Sequence, residues 1–173
     1  MSGEVSVFER PLPAGWVYPC STADIAQRLS LLPARDLEGL WAVGLVPATR
    51  KDCWANGRYF PGERPTIHLY SFRDTLSYRQ PPHTRRADVE RGLAVELAYG
   101  MHVEQTGGRF LCRWDADSLR RFILGHVLLH EVGHHVYQRQ RQQQDPPLLL
   151  RTRASEQFAE DYALRLLSAP KFR

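Results

Sequence analysis

Residues 118–142 constrain this chain more than any other stretch. Leu119, Phe122, Ile123, Val127 and Leu128 recur at helical spacing, and Asp115 or Asp117 is placed to cap a helix at its start. The spacing predicts one long helix from about Ser118 to Gln142, whose apolar side any fold must bury. Inside it lies His130-Glu131-Val132-Gly133-His134, and four of the seven histidines in the chain fall between 126 and 135. Residues four apart lie one turn apart on the same face of a helix. His130 and His134 can therefore turn imidazole nitrogens toward one ion, as tetrahedral zinc requires. Glu131 lies about 100° round from His130 and about 60° from His134. That is beside the ion without chelating it, the position for a general base acting on metal-activated water. Gly133 weakens the helix by about 1 kcal/mol, which implies that something packs closely there.

A catalytic zinc site has a third protein ligand and an open position for water. A second helix, expected from about Ser155 to Leu167 with Ser155 as cap, carries Glu156 and Glu160 on one face. One would bind the ion while the other hydrogen-bonds a ligand imidazole. Glu156 is the favoured ligand and Glu160 the alternative. His126, one turn before His130, is expected as a core or cleft histidine, and His135 as a structural one. Tyr99, His102, Tyr137 and Tyr162 are candidate oxyanion donors by residue type alone. Asp145-Pro146-Pro147 is expected to turn the chain between the two helices.

The remaining chain reads as strands preceding helices. Residues 1–20 look like an irregular arm, rich in proline. Ser21 or Thr22 caps a short helix through Ile25, Leu29 and Leu32, ended by Pro33. Leu40 to Val46 is a continuous apolar run suited to a buried strand, and Thr66 to Phe72 alternates like a second one. Asn56-Gly57, Pro61-Gly62 and Pro65 mark a turn-rich stretch between them, and residues 79–88 form a loop. Residues 89–103 carry both helical and extended signals. Gly107-Gly108 joins Met101–Gln105 to Arg109–Trp114 as a hairpin. The sum is an α+β arrangement in a single domain, 1–173, with its metal-binding helical part at 118–170.

Composition removes several classes. No apolar run approaches the ~20 residues of a membrane span, and the first residues lack a secretory profile, so a cytoplasmic protein is expected. Three widely spaced cysteines, Cys20, Cys53 and Cys112, suit neither a disulfide framework nor a zinc knuckle. The net charge of +4 comes almost wholly from arginine. The clusters Arg85-Arg86 with Arg91, and Arg139, Arg141, Arg151 and Arg153, are interrupted by glutamine, acids and proline, which favours a solvated face over a nucleic-acid surface.

The pattern His130-Glu131-Val132-Gly133-His134 resembles the zincin metallopeptidase signature. The stretch from Glu156 to Ala163 is similar to the glutamate-alanine-aromatic helix of the ImmA/IrrE-type peptidases. Aligning Tyr162-Ala163 with that family's aromatic-alanine pair places its glutamate ligand on Glu156. Position 160, usually asparagine there, is Glu160 here, and in this the pair looks like the gluzincins. The resemblance spans Ser118 to Pro170. It implies a minimal zincin-like fold: a small twisted, mostly antiparallel sheet on a long active-site helix, plus a C-terminal helix. An edge strand, from the 101–114 hairpin or Thr66–Phe72, would line the cleft and pair with an extended peptide. The implied activity is zinc-dependent hydrolysis of a limited set of protein or peptide substrates, with a regulatory protein partner conceivable by the same analogy. The alternatives are a zincin-fold scaffold with a non-catalytic metal and hydrolysis of a non-peptide amide.

Overall fold

The apolar run at 40–46 does become the centre of a sheet. In the computed structural model, which describes residues 4–49, 55–142 and 152–172, the chain opens with β1 (Ser6–Glu9) and β2 (Trp16–Val17). Helices α1 (Thr22–Ser30) and α2 (Ala34–Leu37) come next, and then β3 (Ala42–Val46). Every residue of β3 is buried, as a strand covered on both faces must be. It lies between β1 and β5 (Thr66–Tyr70), parallel to both, while β4 (Gly57–Phe60) pairs antiparallel with β5 and closes one edge.

Two smaller antiparallel sheets flank this one. β2 pairs with β6 (Phe72–Arg73). The other sheet is β7 (Ser77–Arg79), β9 (Arg109–Arg113) and β8 (His102–Thr106), in that order. Helices α3 (Arg86–Gly92) and α4 (Ala94–Ala98) connect β7 to β8.

The predicted long helix is one rod with an internal change of pitch. α5 (Ala116–Phe122) passes through a π-helical turn, Ile123–Val127, into α6 (Leu128–Gln142). Asp115 caps it, its carboxylate accepting from Ser118 N–H. Leu119, Phe122, Ile123, Val127 and Leu128 are all buried in the core with Ile25, Leu29, Val43, Leu45, Ile67 and Leu69, so the sheet and α1 receive its apolar side. α7 (Arg153–Leu167) returns antiparallel against α6. The molecule is thus mixed α and β with small sheets, in keeping with an α+β class.

Several expectations are corrected here. The arm at 1–20 is not wholly irregular: Ser6–Glu9 hydrogen-bonds to β3 because its backbone completes that strand's open side. The main sheet is mixed, with two parallel pairings to one antiparallel, because α1 carries the chain back over the sheet between β1 and β3. The loop at 79–88 gives way to β7 and α3 at its two ends. Residues 89–98 are helical and extended structure begins at His102. Thr152, not Ser155, caps α7, accepting from Ser155 N–H. Cys53 and the turn Asp145-Pro146-Pro147 lie outside the described residues, as does Arg151. Cys20 and Cys112 are free and buried. Among the described residues, no helix is long and apolar enough to cross a membrane.

α1 is tied to α5 through one carboxylate. Asp24 accepts from Ser21 N–H in a capping box and also receives Arg120 Nε at 3.1 Å. The Arg120 guanidinium, aided by the Ser21 N–H, holds the Asp24 carboxyl well below the usual carboxylate range. A carboxyl depressed by folding stabilises the folded state above its unfolded pKa of about 3.9, and that contribution fades as the pH falls toward the folded value. Arg120→Ala should therefore lower stability at pH 6 by about 0.5 kcal/mol, a modest figure because the pair is partly solvated. The gap from wild type should shrink below about pH 4. Urea midpoints at pH 6 and pH 2.5 check this, and a gap of equal size at both would contradict it.

Candidate metal centre

The site is built where α6 and α7 approach most closely. A Cβ placed on Gly133 would lie 2.8 Å from Ala159 Cα, 3.1 Å from Ala159 O and 3.2 Å from Tyr162 Cβ. Two of those atoms are backbone and cannot swing away, so only glycine allows this spacing. The close approach inferred for Gly133 is that of α7. It carries Ser155, Glu156 and Glu160 to the histidine face of α6.

There His130 Nε2 and His134 Nε2 lie 3.1 Å apart. Glu156 Oε2 is 3.4 Å from the first and 3.5 Å from the second. Donor atoms around a tetrahedral zinc at ~2.0–2.1 Å stand roughly 3.3–3.4 Å from one another, so this triangle fits such an ion. The proton positions argue the same way. His134 Nδ1 is 2.8 Å from Ser155 Oγ; the neutral tautomer with its proton on Nδ1 donates to that hydroxyl and points the Nε2 lone pair inward. His130 Nδ1 lies 3.4 Å from Glu160 Oε2 without a hydrogen bond to it, and its Nε2 faces His134 Nε2. Two imidazole nitrogens and a carboxylate oxygen thus converge within 3.5 Å of one another. A cation at the centre of such a donor set would satisfy all three at once.

Glu160 lies beside the triangle, its Oε2 3.4 Å from both His130 Nδ1 and His126 Nε2. His126, His130 and Glu160 could themselves gather an ion, but that grouping omits His134. His126 is stacked on Phe122 with ring centroids 5.8 Å apart. Burial lowers its pKa, with Glu160 opposing.

Glu131 is almost wholly buried, at 4% exposure, and its Oε2 accepts from Tyr59 N–H at 2.7 Å. The strand that reaches Glu131 is therefore β4, not the 101–114 hairpin or Thr66–Phe72. Turn residues on both sides of Arg58-Tyr59-Phe60 hid it, although Tyr59 and Phe60 are good strand formers. Gly57 makes the contact possible: a Cβ there would meet Val127 Cγ1 at 2.7 Å and Glu131 Cγ at 3.3 Å. Since Glu131 occupies the outward N–H of Tyr59, β4 offers no free ladder to a peptide at that residue. In front of His130 and Glu131 opens a cleft of about 240 Å³, bounded by Asn56, Gly57, Val95, Glu96, Phe122, His126 and Val127.

The other candidates fall elsewhere. His135 Nε2 donates to Glu38 O at 3.0 Å, its ring lies edge-on to Tyr59, and burial keeps its pKa low. It is a neutral structural histidine. Tyr162 donates to Asp36 Oδ2, Tyr137 packs on Phe158, Tyr99 lies against Phe122 and His126, and His102 is exposed. None of the four borders the cleft. Arg86 and Arg91 pair with Glu90 and Asp88 on an exposed face, and Arg139 bonds to Glu38. Ser155 joins the site through its hydroxyl on His134 Nδ1, a role the sequence does not signal. A serine one position before an acid near a helix start reads as a cap, and only the docking of α7 turns it toward His134.

Ser155→Ala should weaken zinc binding by roughly 10–100-fold while leaving the fold intact, measured by competition with a chromophoric chelator. Unchanged affinity would show that Ser155 does not orient His134. Gly133→Ala should destabilise the protein by about 1–3 kcal/mol through overpacking and also loosen zinc, read from denaturant midpoints with and without the metal.

Set against known protein families, curated proteins and solved structures, the chain matches none of them.

Proposed function

We propose that the protein is a zinc-dependent peptidase of the zincin type, acting on a limited set of protein substrates. The observation that carries this reading is the convergence of His130 Nε2, His134 Nε2 and Glu156 Oε2 at 3.1–3.5 Å beside the buried carboxylate of Glu131. Two imidazoles and one carboxylate are a common donor set for catalytic zinc, with a fourth position left for water. Glu156 is 48% exposed along its side chain, and the cleft adjoins His130 and Glu131, so a substrate can reach the ion.

When bound, the zinc acidifies the attacking water and polarises the scissile carbonyl. Glu131 takes the proton from that water and delivers it to the leaving amine. The Tyr59 N–H holds its carboxylate through Oε2, so the base keeps one orientation through the cycle. Ser155 holds the His134 imidazole against rotation, and the Glu160 carboxylate lies 3.4 Å from His130 Nδ1. A purely structural zinc has no use for a buried carboxylate one residue from a ligand and facing a cleft, which is why the catalytic reading stands above a scaffold.

Glu131→Gln should bind zinc as wild type does and lose turnover by about 10²–10⁴-fold, assayed by peptide-library cleavage alongside elemental analysis. A variant that cleaves as well as wild type would end the catalytic assignment. Glu156→Ala should lose zinc more completely than Glu160→Ala; the reverse order would transfer the ligand role to Glu160.

A further inference from the structure

A second cavity, of about 680 Å³, adjoins the metal cleft. Asn56 and Glu96 line both, so a chain lying over the metal could send a side chain into it. Its walls include four aromatic rings, Trp16, Phe72, Tyr78 and Trp114. They come from separate elements of the two small sheets and their connections, and meet only in the fold. Such a volume, largely apolar with a few polar groups, is typical of a ligand pocket.

Glu96 gives the cavity its chemical character. It is half-buried on α4, and burial raises its carboxyl above the usual range. Among the described residues, no arginine, lysine or histidine lies within ion-pairing distance of it. A sheltered carboxylate without a cation is costly unless something supplies one. The other charged residue of the cavity, Arg73, is exposed, and its guanidinium lies 4.4 Å over the Trp16 ring. Exposure to solvent screens its charge, and the contact shows that this wall accepts a guanidinium face.

We propose that this cavity is the side-chain subsite of the metal centre and that it takes a basic residue, arginine or lysine, next to the scissile bond. The aliphatic stem lies among the aromatic rings, and the cationic head meets Glu96. The proposal rests on the peptidase reading for its position in a substrate, whereas the cation preference of the cavity stands on its own.

The test uses the zinc-loaded full chain carrying Glu131→Gln, which cannot turn over, titrated calorimetrically with Nα-acetyl-arginine amide, its neutral isostere Nα-acetyl-citrulline amide, and Nα-acetyl-glutamate amide. The arginine probe should bind at least about tenfold more tightly than either. Adding Glu96→Gln should abolish the difference, and Glu96→Asp, which retains but withdraws the charge, should reduce it. Equal affinities, no binding, a preference for the acidic probe, or an arginine preference that survives Glu96→Gln would each overturn the subsite. Cleavage of a peptide library by wild type separates the two claims. Cleavage without enrichment of arginine or lysine beside the cut overturns the subsite and leaves the peptidase. An intact arginine preference with no cleavage of any peptide supports the cavity and removes the peptidase.

Discussion

The contact between Gly133 and Ala159 sets everything around the metal centre. With a side chain at 133, α7 would have to stand off from α6, and the three groups it contributes would withdraw together. Ser155, Glu156 and Glu160 lie within four positions of Ala159, so their distances to the histidines derive from one helix–helix spacing. A single close approach thus fixes the Glu156 carboxylate, the hydroxyl bonded to one imidazole and the carboxylate that faces the other. This is an economical construction, because rigid helices transmit the position of one contact to all residues on the same face.

The cluster also gathers imidazoles and carboxylates into a small, partly buried volume. His134 and Glu131 are buried, and Glu156 and Glu160 bring two more carboxylates alongside. Buried charge persists where it is hydrogen-bonded or bound to a metal. Glu131 has the Tyr59 N–H; the facing Nε2 atoms of His130 and His134, with the Glu156 carboxylate, would suit a cation at their centre. Strand β4 enters the site only because Gly57 lets it approach Val127 and Glu131. Close approach at two glycines, Gly133 and Gly57, therefore sets the positions of the candidate donor groups and of the Glu131 carboxylate.

Much of this was legible in the sequence. The four-residue spacing of His130 and His134 puts two imidazoles on one face of any helix, and Glu131 must then fall beside them. The return of Glu156 and Glu160 on a second helix, the close packing at Gly133, the capped helix after Ser21, the buried strand before Pro47 and the hairpin at Gly107-Gly108 all stand in the structure. Local signals failed where a partner decides the conformation. Ser6–Glu9 and Gly57–Phe60 are short edge strands whose propensity is weak and whose ladders come from β3 and β5. Ser155 has the residue type of a cap and the geometry of an imidazole partner.

The sequence by itself determined which residues could hold a metal and which carboxylate stands next to them, because helical periodicity is a local property. Only the tertiary structure decided that Glu156 rather than Glu160 faces both Nε2 atoms, that β4 supplies the strand at Glu131, and that an aromatic chamber with Glu96 opens beside the cleft. Each of these depends on the distance between segments remote in the chain. Those distances are set by packing at Gly133 and Gly57, and no spacing along the chain encodes them.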